Sequence, residues 1–183
     1  MERETGDPFE SMIAHARYND VTIFGLKSLF DYGFTSEPKD ALIRLVSQGV
    51  RPIIAVSPKF RTIQKVLIAY SGSMESAKAM RRYVQLKPWR NVDLRVVHFG
   101  KSDDSSVQLL KDAGEYCRDH GYSTETESVD ESAKDHLVEY AQQNEIDLIV
   151  MGNSIRNLIF RHLLGDTVLN VIQQSDRPLF LAQ

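Results

Sequence analysis

A chain of 183 residues is long for one compact domain and short for two, and 42% hydrophobic with 26% charged residues is the composition of a globular protein with a substantial core. That mixture argues against intrinsic disorder. A net charge of −3 offers no general attraction to nucleic-acid phosphates, and there is no long apolar run, so neither nucleic acid nor membrane is an expected partner.

The opening MERETGDPFES lacks a basic segment followed by an apolar one, which points to a cytoplasmic protein. Behind the turn-prone Gly6-Asp7-Pro8, Met12, Ile13 and Ala16 stand at helical spacing and predict a helix over 10–17 of roughly three turns. VTIFG, 21–25, reads as a buried strand. Residues 27–38, with Gly33 and Pro38, read as a loop. A helix follows with Ala41, Leu42, Leu45 and Val46 on its apolar face; Gly49 ends it, and RPIIAV is the next strand.

A charged linker, KFRTIQ, leads to the strand KVLIAY, a helix over 74–85 and the strand VDLRVVHF. A helix over 105–120 is stopped by Gly121, and YSTETESV alternates as a shorter strand nearer an edge. A helix over 132–143, the buried strand IDLIVMG, a helix over 167–174 and the strand PLFLAQ complete the order.

The chain repeats itself. Asp20 to Pro58 is echoed by Asp147 to Gln183: an Asp, an apolar strand ending in Gly, a variable loop, an amphipathic helix, then Arg-Pro leading a second strand. Strands alternating with helices predict right-handed crossovers and a parallel sheet covered on both faces. The expected fold is α/β: a five-stranded parallel, doubly wound, Rossmann-like sheet over 61–183, plus a partial second unit over 1–60 holding the last two strands and their helices. In such sheets the ligand crevice lies outside the carboxyl ends of the strands where the winding reverses, and the segments 70–73, 99–101 and 152 onward end there.

Few side chains suggest chemistry. Cys117 shares helical spacing with Val107, Leu110 and Gly114 and reads as a buried structural thiol. His15, His98, His120, His136 and His162 form no pair at metal-ligand spacing, so no metal site is expected. GSMES is not a GxSxG elbow, and no catalytic residue is assigned. Ser73 or Glu75 is expected to cap the helix that starts there, and Asp103-Asp104-Ser105-Ser106 reads as another helix start rather than a calcium loop. His98 reads as a core or edge residue close to the crevice.

On KVLIAYSGSMES, VVHF and DLIVMGNSIRNLIFRHLLGDTVLNVIQQSDRPLFLAQ, residues 65–183 resemble the universal stress protein family. Residues 7–58 look like the last part of a second such unit, as in a tandem member whose first unit lacks its front half. The resemblance implies an adenine nucleotide alpha hydrolase-like fold. In many members ATP is held by GxxG, nine further residues, then Gly and Ser or Thr. Glycines let backbone N–H groups approach phosphate, and the following helix N-terminus favours negative charge.

Here Gly152 and Gly165 keep that spacing, but Ile155 stands in place of the second Gly and Asp166 in place of the hydroxyl. The first adds bulk, and the second puts a carboxylate near phosphate oxygens. Thr167 offers a hydroxyl one residue later. Ser71 stands where the family often has an Asp that contacts the nucleotide. Arg156 and Arg161 flank the loop and could pair with phosphates; with Leu158, Ile159 and Phe160 between them, they read as solvated surface charges. Gly25-Leu26-Lys27-Ser28 has no phosphate-type pattern, so no nucleotide is expected in the first copy.

The resemblance implies a regulatory or stress-response protein with weak or no ATP binding and no cofactor, acting through dimerisation and partner contacts. The alternative is an ATP-binding stress sensor with slow hydrolysis, using Ser71, Phe99, Gly152, Asn153, Ile155, Gly165, Asp166 and Thr167. PIIAV and LFLA are expected to meet at a two-sheet junction within the chain, as the last strands do between family subunits. The edge left uncovered in the partial unit is expected to pair in a homodimer.

Overall fold

The computed structural model describes residues 5–25, 44, 45, 48, 50, 52–57, 59–152 and 166–182. The loop expected over 27–38 and most of the helix expected around 41–46 lie outside them. The described elements run α1 (Pro8–His15), β1 (Thr22–Gly25), β2 (Ile53–Val56), β3 (Lys65–Ala69), α2 (Met74–Leu86) and β4 (Asp93–Phe99). They continue with α3 (Asp104–Asp119), β5 (Ser123–Val129), α4 (Ala133–Gln143), β6 (Leu148–Gly152), α5 (Asp166–Gln174) and β7 (Leu179–Ala182).

The strands form one seven-stranded sheet in the order β1-β2-β7-β6-β3-β4-β5. The five expected parallel strands are present as β7-β6-β3-β4-β5, but the sheet does not stop there. β2 pairs antiparallel with β7, and β1 pairs parallel with β2. PIIAV and LFLA therefore do meet within the chain.

The strand pairs β1–β2 and β6–β7 share a register. Thr22 sits opposite Ile53 and Gly25 opposite Val56; in the second copy Ile149 sits opposite Leu179 and Gly152 opposite Ala182. Thr22 N–H donates to the Pro52 carbonyl (3.0 Å), and Ile149 N–H to that of Pro178 (3.1 Å). Across the junction Ile53 faces Leu181, Ile54 faces Phe180 and Ala55 faces Leu179. Exchanging the copies maps this set of pairs onto itself, so a local two-fold axis passes through the Ile54–Phe180 pair.

Strand alternation sends neighbouring side chains to opposite faces. Phe9, Leu45, Leu67, Leu137, Ile149 and Leu181 pack on one face with α1, α4 and α5. Val66, Ile68, Tyr83, Val96, Cys117 and Phe180 pack on the other with α2 and α3. Tyr83 meets Phe180 edge-on, centroids 5.3 Å apart. The linker is fastened too: Asp147 Oδ2 accepts from the N–H groups of Gln64 and Lys65, both at 3.0 Å, while Arg61 lies 3.3 Å from Asp176.

Several expectations are corrected. β1 is not a buried strand: among the described residues it has a sheet neighbour on one side, Phe24 joins the Phe9 layer, and Ile23 stands 60% exposed. α1 spans Pro8–His15 rather than 10–17: Asp7 caps it by accepting from Phe9 N–H (2.7 Å), and Asn19 takes up the His15 carbonyl (2.8 Å). β5 is an edge strand, yet at seven residues it is as long as β4. Arg95 bonds Glu125 (2.7 Å) and Asn144 (2.6 Å), and Tyr140 donates to Glu127, so β5 is tied down along its length.

Val107 leaves the expected core face and is exposed, while Leu110, Gly114 and Cys117 are buried. Ser106 takes the inward place in the first turn, because its hydroxyl and Asp103 close a capping box. Among the described residues no helix is long and apolar enough to cross a membrane.

Burial pushes the Cys117 thiol up to about 12. An unperturbed thiol titrates at about 8.5. Between these values the unfolded chain has lost a proton that the folded chain keeps, so stability falls as pH rises. Urea midpoints are expected to drop between about pH 8 and about pH 10, with a smaller drop in Cys117→Ala. Equal slopes in the two proteins would refute the buried-thiol origin.

Candidate functional site

In the order β7-β6-β3-β4-β5 the winding reverses between β3 and β6, and a cavity of about 240 Å³ opens at their carboxyl ends. Ala69, Phe99 and Met151 come from the strand ends. Ser71, Ser73, Glu75 and Ser76 come from the turn after β3 and the start of α2. Ala133 and Leu137 of α4, with Thr167 and Val168 of α5, form the opposite wall.

The turn that carries the serines is constrained. Gly72 has φ +77°, and a Cβ there would lie 2.8 Å from Leu109 Cδ1. Ser73 Oγ accepts from Ser76 N–H (3.2 Å), so Ser73 rather than Glu75 caps α2. Ser71 Oγ lies 3.1 Å from Ser73 Oγ and 3.3 Å from Ser76 Oγ, while Ser76 Oγ donates to the Ser73 carbonyl (2.9 Å). These hydroxyls can rotate to donate or accept, so the cluster is polar without a fixed charge.

Gly152 reaches the cavity for a packing reason. A Cβ there would fall 2.4 Å from the Glu75 carbonyl carbon and 2.5 Å from its oxygen, so the end of β6 presses directly on the first turn of α2. Phe99 is held edge-on against Tyr140, centroids 5.5 Å apart. His98 Nδ1 lies 3.1 Å from the Tyr70 carbonyl. A carbonyl only accepts, which puts the proton on Nδ1 and makes His98 a brace between β4 and the turn after β3.

Of the residues singled out in the sequence, Ser71, Phe99, Gly152 and Thr167 converge on this cavity. Asn153, Ile155 and Gly165 lie outside the described residues, and Asp166 is described only as the first residue of α5. Sequence reasoning missed Ser76, Leu137, Met151 and Val168, and it treated Glu75 only as a capping residue. The three-residue spacing of Ser73 and Ser76 at a helix start was the available signal for the hydroxyl cluster.

Glu75 is the sole charged side chain among the described residues lining the cavity, and no lysine or arginine is among them. No group of three metal-ligating side chains occurs among the described residues.

A doubly wound parallel sheet with its crevice at the winding switch defines an α/β protein of the Rossmann-like class. Residues 100–183 match the universal stress protein family. It is 27% identical over 165 residues to universal stress protein Slr1230 of Synechocystis, an alignment taking in 87% of this chain and 56% of that protein. The chain thus spans little more than half the length of this curated relative.

A universal stress protein from Archaeoglobus fulgidus superposes with a TM-score of 0.73 at 17% identity, covering 97% of this chain and 66% of that one. A universal stress protein solved in complex with cAMP is 26% identical, with a TM-score of 0.58, covering 67% of this chain and 98% of that one.

Gly152→Ala is expected to cost about 1–3 kcal/mol, because its Cβ has backbone rather than a flexible side chain in its way. Urea denaturation measures it, and an unchanged midpoint would show that β6 and α2 are not in close contact.

Proposed function

We propose that this protein is a regulatory, stress-response protein of the universal stress protein type that binds ATP weakly or not at all, carries no cofactor and acts through self-association and contacts with protein partners. One observation carries the reading. The described crevice wall offers neutral hydroxyls and the Glu75 carboxylate, with no lysine or arginine to balance a triphosphate. No side chain in the crevice is assigned a chemical step.

A second reading, a nucleotide-binding sensor, is favoured by the relative solved with cAMP, which aligns over two thirds of this chain. The two readings separate by calorimetry. Titration with ATP is expected to give no dissociation constant tighter than the millimolar range; a low-micromolar constant would establish the sensor instead.

Self-association is assigned to β1. It ends the described sheet on one side with Ile23 exposed, whereas the opposite edge, β5, carries exposed Glu125 and Glu127 that discourage strand addition. Sedimentation at micromolar concentration is expected to show a dimer that Ile23→Lys weakens, and a monodisperse wild-type monomer would reject the assignment.

A further inference from the structure

We infer that the open edge of β1, with the sheet face that carries Ile23, docks a strand–turn–helix segment of a partner protein, built like residues 65–86 of this chain. The assignment rests on the reading of a protein that works through self-association and partner contacts, and deepens it by naming the partner's shape and setting it in competition with the second copy.

β1–β2 and β6–β7 share one register and are related by the local two-fold axis. Val21, Ile23, Ile54 and Val56 thereby take the positions of Leu148, Val150, Phe180 and Ala182 on the same face of the sheet. The second set is almost fully buried. In the first, Val21 and Val56 are half-buried, and Ile23 is 60% exposed where Val150 is 0% exposed.

The difference lies in what covers each set. Ala79, Met80, Tyr83 and Val84 of α2 pack on the β6–β7 face, and β3 pairs with the outer edge of β6. Among the described residues no helix packs as closely on β1 or β2, and no strand pairs with the outer edge of β1. Gly25 points to the same kind of cover. Gly152 has no room for a Cβ because the backbone of Glu75 and Ser76, at the start of α2, presses on it, and Gly25 holds the equivalent place at the end of β1.

A strand that pairs in parallel with β1 and turns into a helix over Ile23 repeats the arrangement of β3 and α2 beside β6. It joins by main-chain hydrogen bonds along the edge and by an apolar helix stripe on the face. A second copy does not supply this segment, since each copy's residues 65–86 already lie on its own β6 and β7. The occupant is another protein.

The probe is a synthetic peptide of residues 65–86, titrated into the full chain and followed by fluorescence anisotropy and by sedimentation. Saturable binding is expected, with the dimer giving way to a one-to-one complex. Ile23→Lys is expected to weaken binding about tenfold or more, because it puts an ammonium into an apolar contact, and a Tyr83→Asp peptide to do the same. The peptide variant stands alone if Ile23→Lys does not fold. No saturation at millimolar peptide, equal binding by Ile23→Lys, or peptide bound with the dimer intact would overturn the inference. A dimer that binds no peptide would overturn it and leave self-association in place, whereas a monomeric wild type that binds the peptide through Ile23 would reject self-association and support the docking surface.

Discussion

The antiparallel pairing of β2 with β7 is the constraint on which the rest of the molecule depends. Three residue pairs, Ile53–Leu181, Ile54–Phe180 and Ala55–Leu179, join the strand pair β1–β2 to the five parallel strands as a single sheet. Those residues are fully or almost fully buried. Without this seam β7 would be an exposed apolar edge, and β1 with β2 would be a two-stranded fragment too small to hold itself together. With it, both faces of the sheet are continuous, and Phe9 and Leu45 from the first copy share a layer with Ile149 and Leu181 from the second.

The crevice inherits its shape from that sheet. β6 is held between β7 and β3, and Gly152 at its end touches the backbone of Glu75. A glycine that a motif comparison assigns to phosphate binding is thus already required by strand–helix packing. Its presence says little about nucleotide. The informative positions are those that line the opening without being needed for the fold, above all Ser71 and Glu75, and they give it hydroxyls and one negative charge.

Much of this was legible in the amino-acid order. Asp-strand-Gly and Arg-Pro-strand occur twice, and both copies fold with the same register, because apolar alternation and the Pro52 and Pro178 carbonyls fix the pairing in the same way. Strand burial was harder to read. VTIFG is as apolar as IDLIVMG, but how many neighbours a strand has is a property of the whole sheet, so Ile23 was misjudged. Val107 failed for a different reason: a polar Ser106 can face inward when its hydroxyl closes a cap, and periodicity counts only apolar groups. The site was half legible. Ser71, Phe99, Gly152 and Thr167 follow from knowing where parallel strands end, whereas Leu137 and Val168 reach the cavity from helices whose approach only tertiary packing decides.

Arg61 also has a mechanical meaning. It belongs to the connection between the copies, yet it is bound to Asp176 beside β7, and the adjacent Gln64 and Lys65 amides are held by Asp147 before β6. The exposed Phe60 next to it is an obvious place for a protease to cut. A nick there would sever the backbone without freeing either piece, since the strand seam would still hold them in register: the connection is a strap lying along an assembled body, not a hinge about which two bodies swing.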